Sequence, residues 1–94
     1  MRVTIVPEDG FVSVDGVGIS GIDMASIDSN IHAVQWYGTS GEIERKNELG
    51  RIVSNESFDS MNQFFSVIAL YNEAIAAAEA AEAALREVDA VIEV

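Results

Sequence analysis

Every glycine and the single proline of this chain fall within its first 50 residues, and from residue 51 to the end nothing breaks a helix outright. That asymmetry allows few architectures. The first half can turn often and build short strands, whereas the second half is free to run as one helix.

The turns in the first half are specific enough to place the strands between them. Residues 4–6 read as a strand, and Pro7-Glu8-Asp9-Gly10 as a type I or II turn with Pro early and Gly at its end. Phe11-Val12-Ser13-Val14 then returns antiparallel. Asp15-Gly16 suits a tight primed turn, because Gly accepts positive φ without a Cβ clash, and residues 17–19 form a third short strand. Ser20-Gly21 ends it. Ile22, Met24 and Ile27 fit neither a period of two nor a helical one, so residues 22–27 read as an irregular segment or a single helical turn.

Residues 31–45 carry the strongest strand signal and the chain's only Trp and only His. A β-branched and aromatic run (Ile31 to Tyr37), four turn formers (Gly38-Thr39-Ser40-Gly41) and an alternating run (Glu42-Ile43-Glu44-Arg45) predict a β-hairpin. Strand alternation places His32, Val34 and Trp36 on one face and Ile31, Ala33, Gln35 and Tyr37 on the other. Residues 51–53 add a last strand.

From Ser57 onward the period changes. Ser60-Met61-Asn62-Gln63 fits a capping box, and the Ala, Leu, Glu and Arg that follow are strong helix formers, which predicts a helix over about residues 58–92. The fold class is therefore α+β: a small antiparallel β-meander of four or five short strands, then one long C-terminal helix. Residues 1–56 make the sheet and 57–94 the helix, together one folding unit.

Met61, Phe64, Ile68, Tyr71, Ile75, Ala78, Ala81, Leu85, Val88 and Ile92 recur at steps of three and four, a coiled-coil-like seam with one stammer. Such a helix is roughly 50 Å long at 1.5 Å per residue, about twice the width of a body built from the remaining residues. Its far half overhangs the sheet. The near end is bulky and the middle is Ala-rich, which permits close helix approach. Leu85, Val88 and Ile92 then return as apolar area beyond the reach of the sheet. Acidic residues at the negative end of the macrodipole, Glu87, Asp89 and Glu93, would fray a free helix. The expectation is a partner against Ile75, Ala78, Ala81, Leu85, Val88 and Ile92, either a second copy or another protein. Parallel self-pairing would stack Glu79, Glu82, Glu87 and Asp89 of both copies, so an antiparallel or heterologous pairing is favoured.

Charge narrows the function. A formal net charge of -11, from 16 acidic and 5 basic residues, opposes binding to a phosphate backbone, which depends on Lys and Arg. Nucleic acid is not expected as a ligand. No Cys means no disulfide framework and no thiolate metal site. The chain opens on polar, turn-rich sequence in place of a signal peptide's apolar region, and no uninterrupted apolar run approaches the roughly 18 residues of a membrane span.

No catalytic, metal or cofactor site is expected. His32 has no nucleophile elbow or oxyanion motif near it in sequence, so a structural imidazole beside Trp36 is the simpler reading. Asp28-Ser29-Asn30 begins like a calcium loop, but His32 and Ala33 stand at the fifth and sixth places and spoil it. Asp9, Asp15, Asp23 and Asp28 are better explained by turn chemistry. Trp36 and Tyr37 are the further candidates for contact with a partner.

The segments Val3-Thr4-Ile5-Val6-Pro7-Glu8-Asp9-Gly10, Val12-Ser13-Val14-Asp15-Gly16 and Ile31-His32-Ala33-Val34-Gln35-Trp36-Tyr37-Gly38, with Gly41-Glu42-Ile43-Glu44, resemble small proteins of the tail-fibre region of tailed bacteriophages. Those open with a strand and a Pro-x-Asp-Gly turn and end in an Ala- and Glu-rich helix. The resemblance implies a noncatalytic tail-fibre assembly chaperone or adaptor, with the fibre protein or a second copy as partner. It would work in the host cytoplasm during assembly or stay in the virion tail. Two other functions stay open: a structural subunit of the virion tail, and an acidic mimic of nucleic acid that occupies a host protein's basic groove.

Overall fold

The structure, a computed structural model, describes residues 1–92, with side chains through Leu85. Six strands form one antiparallel sheet: β1 (Val3–Val6), β2 (Phe11–Val14), β3 (Val17–Ile19), β4 (Ile31–Trp36), β5 (Gly41–Lys46) and β6 (Ile52–Phe58). A 3₁₀ turn (Pro7–Asp9) joins β1 to β2, and a second (Asn62–Phe64) leads into the helix α1 (Phe65–Ile92). The α+β class holds, with six strands where four or five were expected.

The sheet order is β3-β2-β1-β4-β5-β6, so β1 lies at the centre and joins two three-stranded meanders. Val3 faces Val14 on one side and Trp36 on the other, and Ile5 faces Val12 and Val34. Because opposed residues share a face, Val3, Ile5, Val12, Val34, Trp36 and Ile43 line up as one apolar surface, and all six are buried. The opposite face, with Thr4, Ser13, Gln35, Glu42 and Ser57, is polar and open to water, as an antiparallel sheet allows.

Two elements cover the apolar face. Residues 20–30 travel from the β3 edge back to β4 and lay Ile22, Met24 and Ile27 on the core. The segment contains turns but no helix. The start of the helical region supplies Met61, Phe64, Val67 and Tyr71, all buried.

Several local expectations are corrected. The first is the face of Ile31. A bulge at His32 shifts the β4/β5 register, so that Ile31 is buried, only 3% exposed, on the side of Val34 and Trp36. One extra residue reverses the alternation that a regular strand would have had. The second is the hairpin turn, which is shifted by one residue: residues 37–40 join the strands, the Tyr37 N–H donates to the Ser40 carbonyl at 2.8 Å, and Gly41 already belongs to β5.

The third is the helix start. Residues 52–58 pair with β5 as a strand, which delays the helix to Phe65. Ser60 Oγ accepts from the Asn62 N–H at 3.3 Å, not from Gln63, and therefore makes a short turn in place of the capping box. Asp23 does perform turn chemistry, accepting from the Ala25 N–H, whereas Asp15, in the β2–β3 turn, accepts from the N–H of Arg2, 13 residues away, and so ties that turn to the start of β1.

Candidate interface on helix and sheet edge

The helix crosses the sheet from the β6 side toward β3. At the near end an aromatic chain runs from Trp36 to Phe58, with centroids 5.2 Å apart, and from Phe58 edge-on to Phe64 at 5.6 Å. At the far end the Tyr71 hydroxyl donates to the Val17 carbonyl at 2.6 Å. These two anchors fix the direction in which α1 leaves the body.

Past Tyr71 only Ala74 and Ile75 still touch the core, both half-buried. Every side chain from Ala76 through Leu85 is exposed, and Leu85 is 66% exposed. The remaining helix, residues 76–92, extends for roughly 25 Å at 1.5 Å per residue. The molecule is correspondingly long, 60 × 30 × 18 Å.

The residues singled out from the sequence therefore separate. Ala78, Ala81 and Leu85 stand free on the overhang, and Ile75 sits where the core ends. Val88 and Ile92 lie on the helix, but their side chains are outside the described residues. Tyr37 is 48% exposed, beneath the Arg2 guanidinium at 5.6 Å from its ring centroid, with its hydroxyl 3.4 Å from Glu42. Trp36 is 7% exposed and belongs to the core, so it offers no surface to a partner. At the bulky near end of the helix, Phe64 is buried, whereas Phe65 beside it is 57% exposed and takes no part in the core. Phe58 stands in the gap.

Sequence reading placed a strand at residues 51–53 but missed its continuation to Phe58 and its place at the sheet edge. β6 is paired only on its β5 side, and six of its seven residues are exposed. Its one acid, Glu56, is engaged: Arg45 Nη2 and Nε donate to Glu56 Oε1 at 2.6 and 3.0 Å, and Arg45 Nη1 donates to Asn30 at 2.8 Å. The hydrogen bonds to Glu56 hold the Arg45 guanidinium above its ordinary pKa, against a smaller opposite effect of burial. Ser54, Asn55, Glu56 and Ser57 hid the rest of this strand, since none has strong β propensity.

His32 leaves its buried Nδ1 without a hydrogen-bond partner. Among the described residues no group of three or more His, Asp or Glu side chains is arranged to hold a metal ion. A shallow depression on the polar sheet face, about 220 Å³, is lined by Arg2, Thr4, Ser13 and Gln35 among others.

One expectation about membranes needs correction. Residues Asn62–Leu85, with a mean hydropathy of 1.3, are long and apolar enough by length and composition to cross a membrane, because frequent Ala, with a few Phe, Ile and Leu, outweighs the scattered polar residues. The same stretch, however, supplies Phe64, Val67 and Tyr71 to the sheet core. A span there would require the core to open. Comparisons with protein-family models, curated proteins and solved structures return no match.

Proposed function

We propose that this protein is a noncatalytic adaptor that captures another protein chain on the overhanging half of α1. One observation carries the reading: the described helix continues as an unbroken exposed element beyond Ile75, ending in a largely exposed Leu85. Burying a large apolar side chain contributes about 1.5–3 kcal/mol, and the Ala-rich stretch before it admits a close helical neighbour. The sheet body serves as the rigid mount.

The resemblance of residues 3–45 to small tail-fibre-region proteins supports a specific setting, in which the adaptor is a tail-fibre assembly chaperone and the partner is the fibre protein. The test is co-expression with the fibre protein. Wild type should co-purify with it, and the double variant Leu85→Ser, Val88→Ser should not, while keeping the circular dichroism and melting of wild type. Equal capture by the variant would refute the helix as the binding surface. Capture of the fibre protein by neither form would refute the tail-fibre setting.

A further inference from the structure

We infer that β6 is a self-association edge, through which two copies pair antiparallel about a two-fold axis at Asn55 and continue one sheet across the dimer. The two edges of the sheet differ in what protects them. β3 has only three residues, too few for an extended pairing, and the helix lies against it through the Tyr71 bond to Val17. β6 has seven residues and contains neither Pro nor Lys, two of the residues that commonly block edge pairing.

The hydrogen-bond phase of the hairpin shows which groups of β6 are free. Tyr37 and Ser40 face each other through the Tyr37 N–H, so Glu42 and Glu44 point their backbone groups at β4, and Lys46 does the same toward Asn30. Gly41, Ile43 and Arg45 therefore point at β6, where they oppose Phe58, Glu56 and Ser54. That leaves the N–H and C=O of Asn55 and Ser57 directed outward.

Charge and register together select a second copy as the occupant. A chain of net charge -11 repels itself over most of its surface. At β6, however, the single carboxylate is neutralised by Arg45, so two copies can meet there with little repulsion. A register centred on Asn55 uses the whole strand. It sets Asn55 against Asn55, Val53 against Ser57, and Glu56 against Ser54, whose β5 neighbour is the other copy's Arg45. A register centred on Glu56 would instead oppose two carboxylates, and one centred on Ser54 would set Ser57 and Phe58 against residues 51 and 50, beyond the end of the strand.

The two-fold lies perpendicular to the sheet, which places both helices on one face and points their overhangs in opposite directions. The dimer is thus bivalent, with its two overhanging segments too far apart to pair with each other. This inference does not rest on the helix reading.

The experiment is a charge swap at Asn55 read by sedimentation equilibrium. Wild type is expected at about twice the 10.1 kDa chain mass. Asn55→Lys and Asn55→Asp, each placing like charges at the axis, should each fall toward the single-chain mass, and an equimolar mixture should return to the double mass. The Leu85→Ser, Val88→Ser variant should stay dimeric. As a second measure, Asn55→Cys should form a disulfide-linked dimer on oxidation, since the chain has no other Cys. A monomeric wild type, charge variants that stay dimeric alone, a mixture that does not recover, or Asn55→Cys that does not cross-link would overturn it.

Discussion

The Tyr71 hydroxyl donates a 2.6 Å hydrogen bond to the backbone carbonyl of Val17, joining the helix to the edge strand opposite the one it departs from. The bond spans 54 residues of sequence and ties the helix to the first residue of β3. It also marks where the helix stops being covered, since Tyr71 is its last fully buried side chain among those described.

Tyr71→Phe keeps the ring and removes only this bond. It should lower stability by about 1 kcal/mol, the usual net value of an intramolecular hydrogen bond. Urea denaturation would register a lower midpoint at unchanged slope. An unchanged midpoint would mean that the bond adds nothing beyond what water supplies.

Trp36→Ala should cost about 3–5 kcal/mol, as large aromatic truncations in cores do. For a domain of this size that approaches the whole stability. Trp36 and Phe58 are in ring contact, so a double-mutant cycle with Phe58→Leu should be non-additive by at least about 0.5 kcal/mol. Strict additivity would show that the two rings contribute independently.

Gly41→Ala tests how tightly that cluster closes. A Cβ there would run into the Gln35 carbonyl and come within 2.7 Å of the Phe58 ring, which cannot retreat without disturbing Trp36 and Phe64. Overpacking of this kind costs about 1–3 kcal/mol. The calorimetric melting temperature should fall, and Gly50→Ala would not serve as a control, because Gly50 has φ +77 and is strained for other residues.

Removing residues 80–94 should leave the body's stability within about 0.5 kcal/mol of the full chain, as expected for exposed positions away from special features. The described part of that segment, residues 80–85, is exposed throughout. The shortened protein should lose helical circular dichroism in proportion to the residues removed. A large drop in stability would show that the distal helix folds back on the sheet.

The sequence by itself determined the local elements. Pro7 and Gly10 placed the first turn, Asp15-Gly16 the second and the alternating residues around Trp36 the hairpin, because φ preferences and side-chain alternation act within a few residues. The absence of Gly and Pro after residue 50 left the helix uninterrupted for the same reason. Tertiary structure alone decided the rest. That β1 lies between β2 and β4, that a bulge at His32 turns Ile31 inward, and that Phe58 bridges Trp36 to Phe64 all depend on pairing between segments far apart in the chain. Where the apolar seam passes from core to free surface was equally hidden: Phe64, Tyr71 and Leu85 occupy equivalent seam positions, and only the width of the sheet, reached at Val17, separates the covered ones from the exposed one.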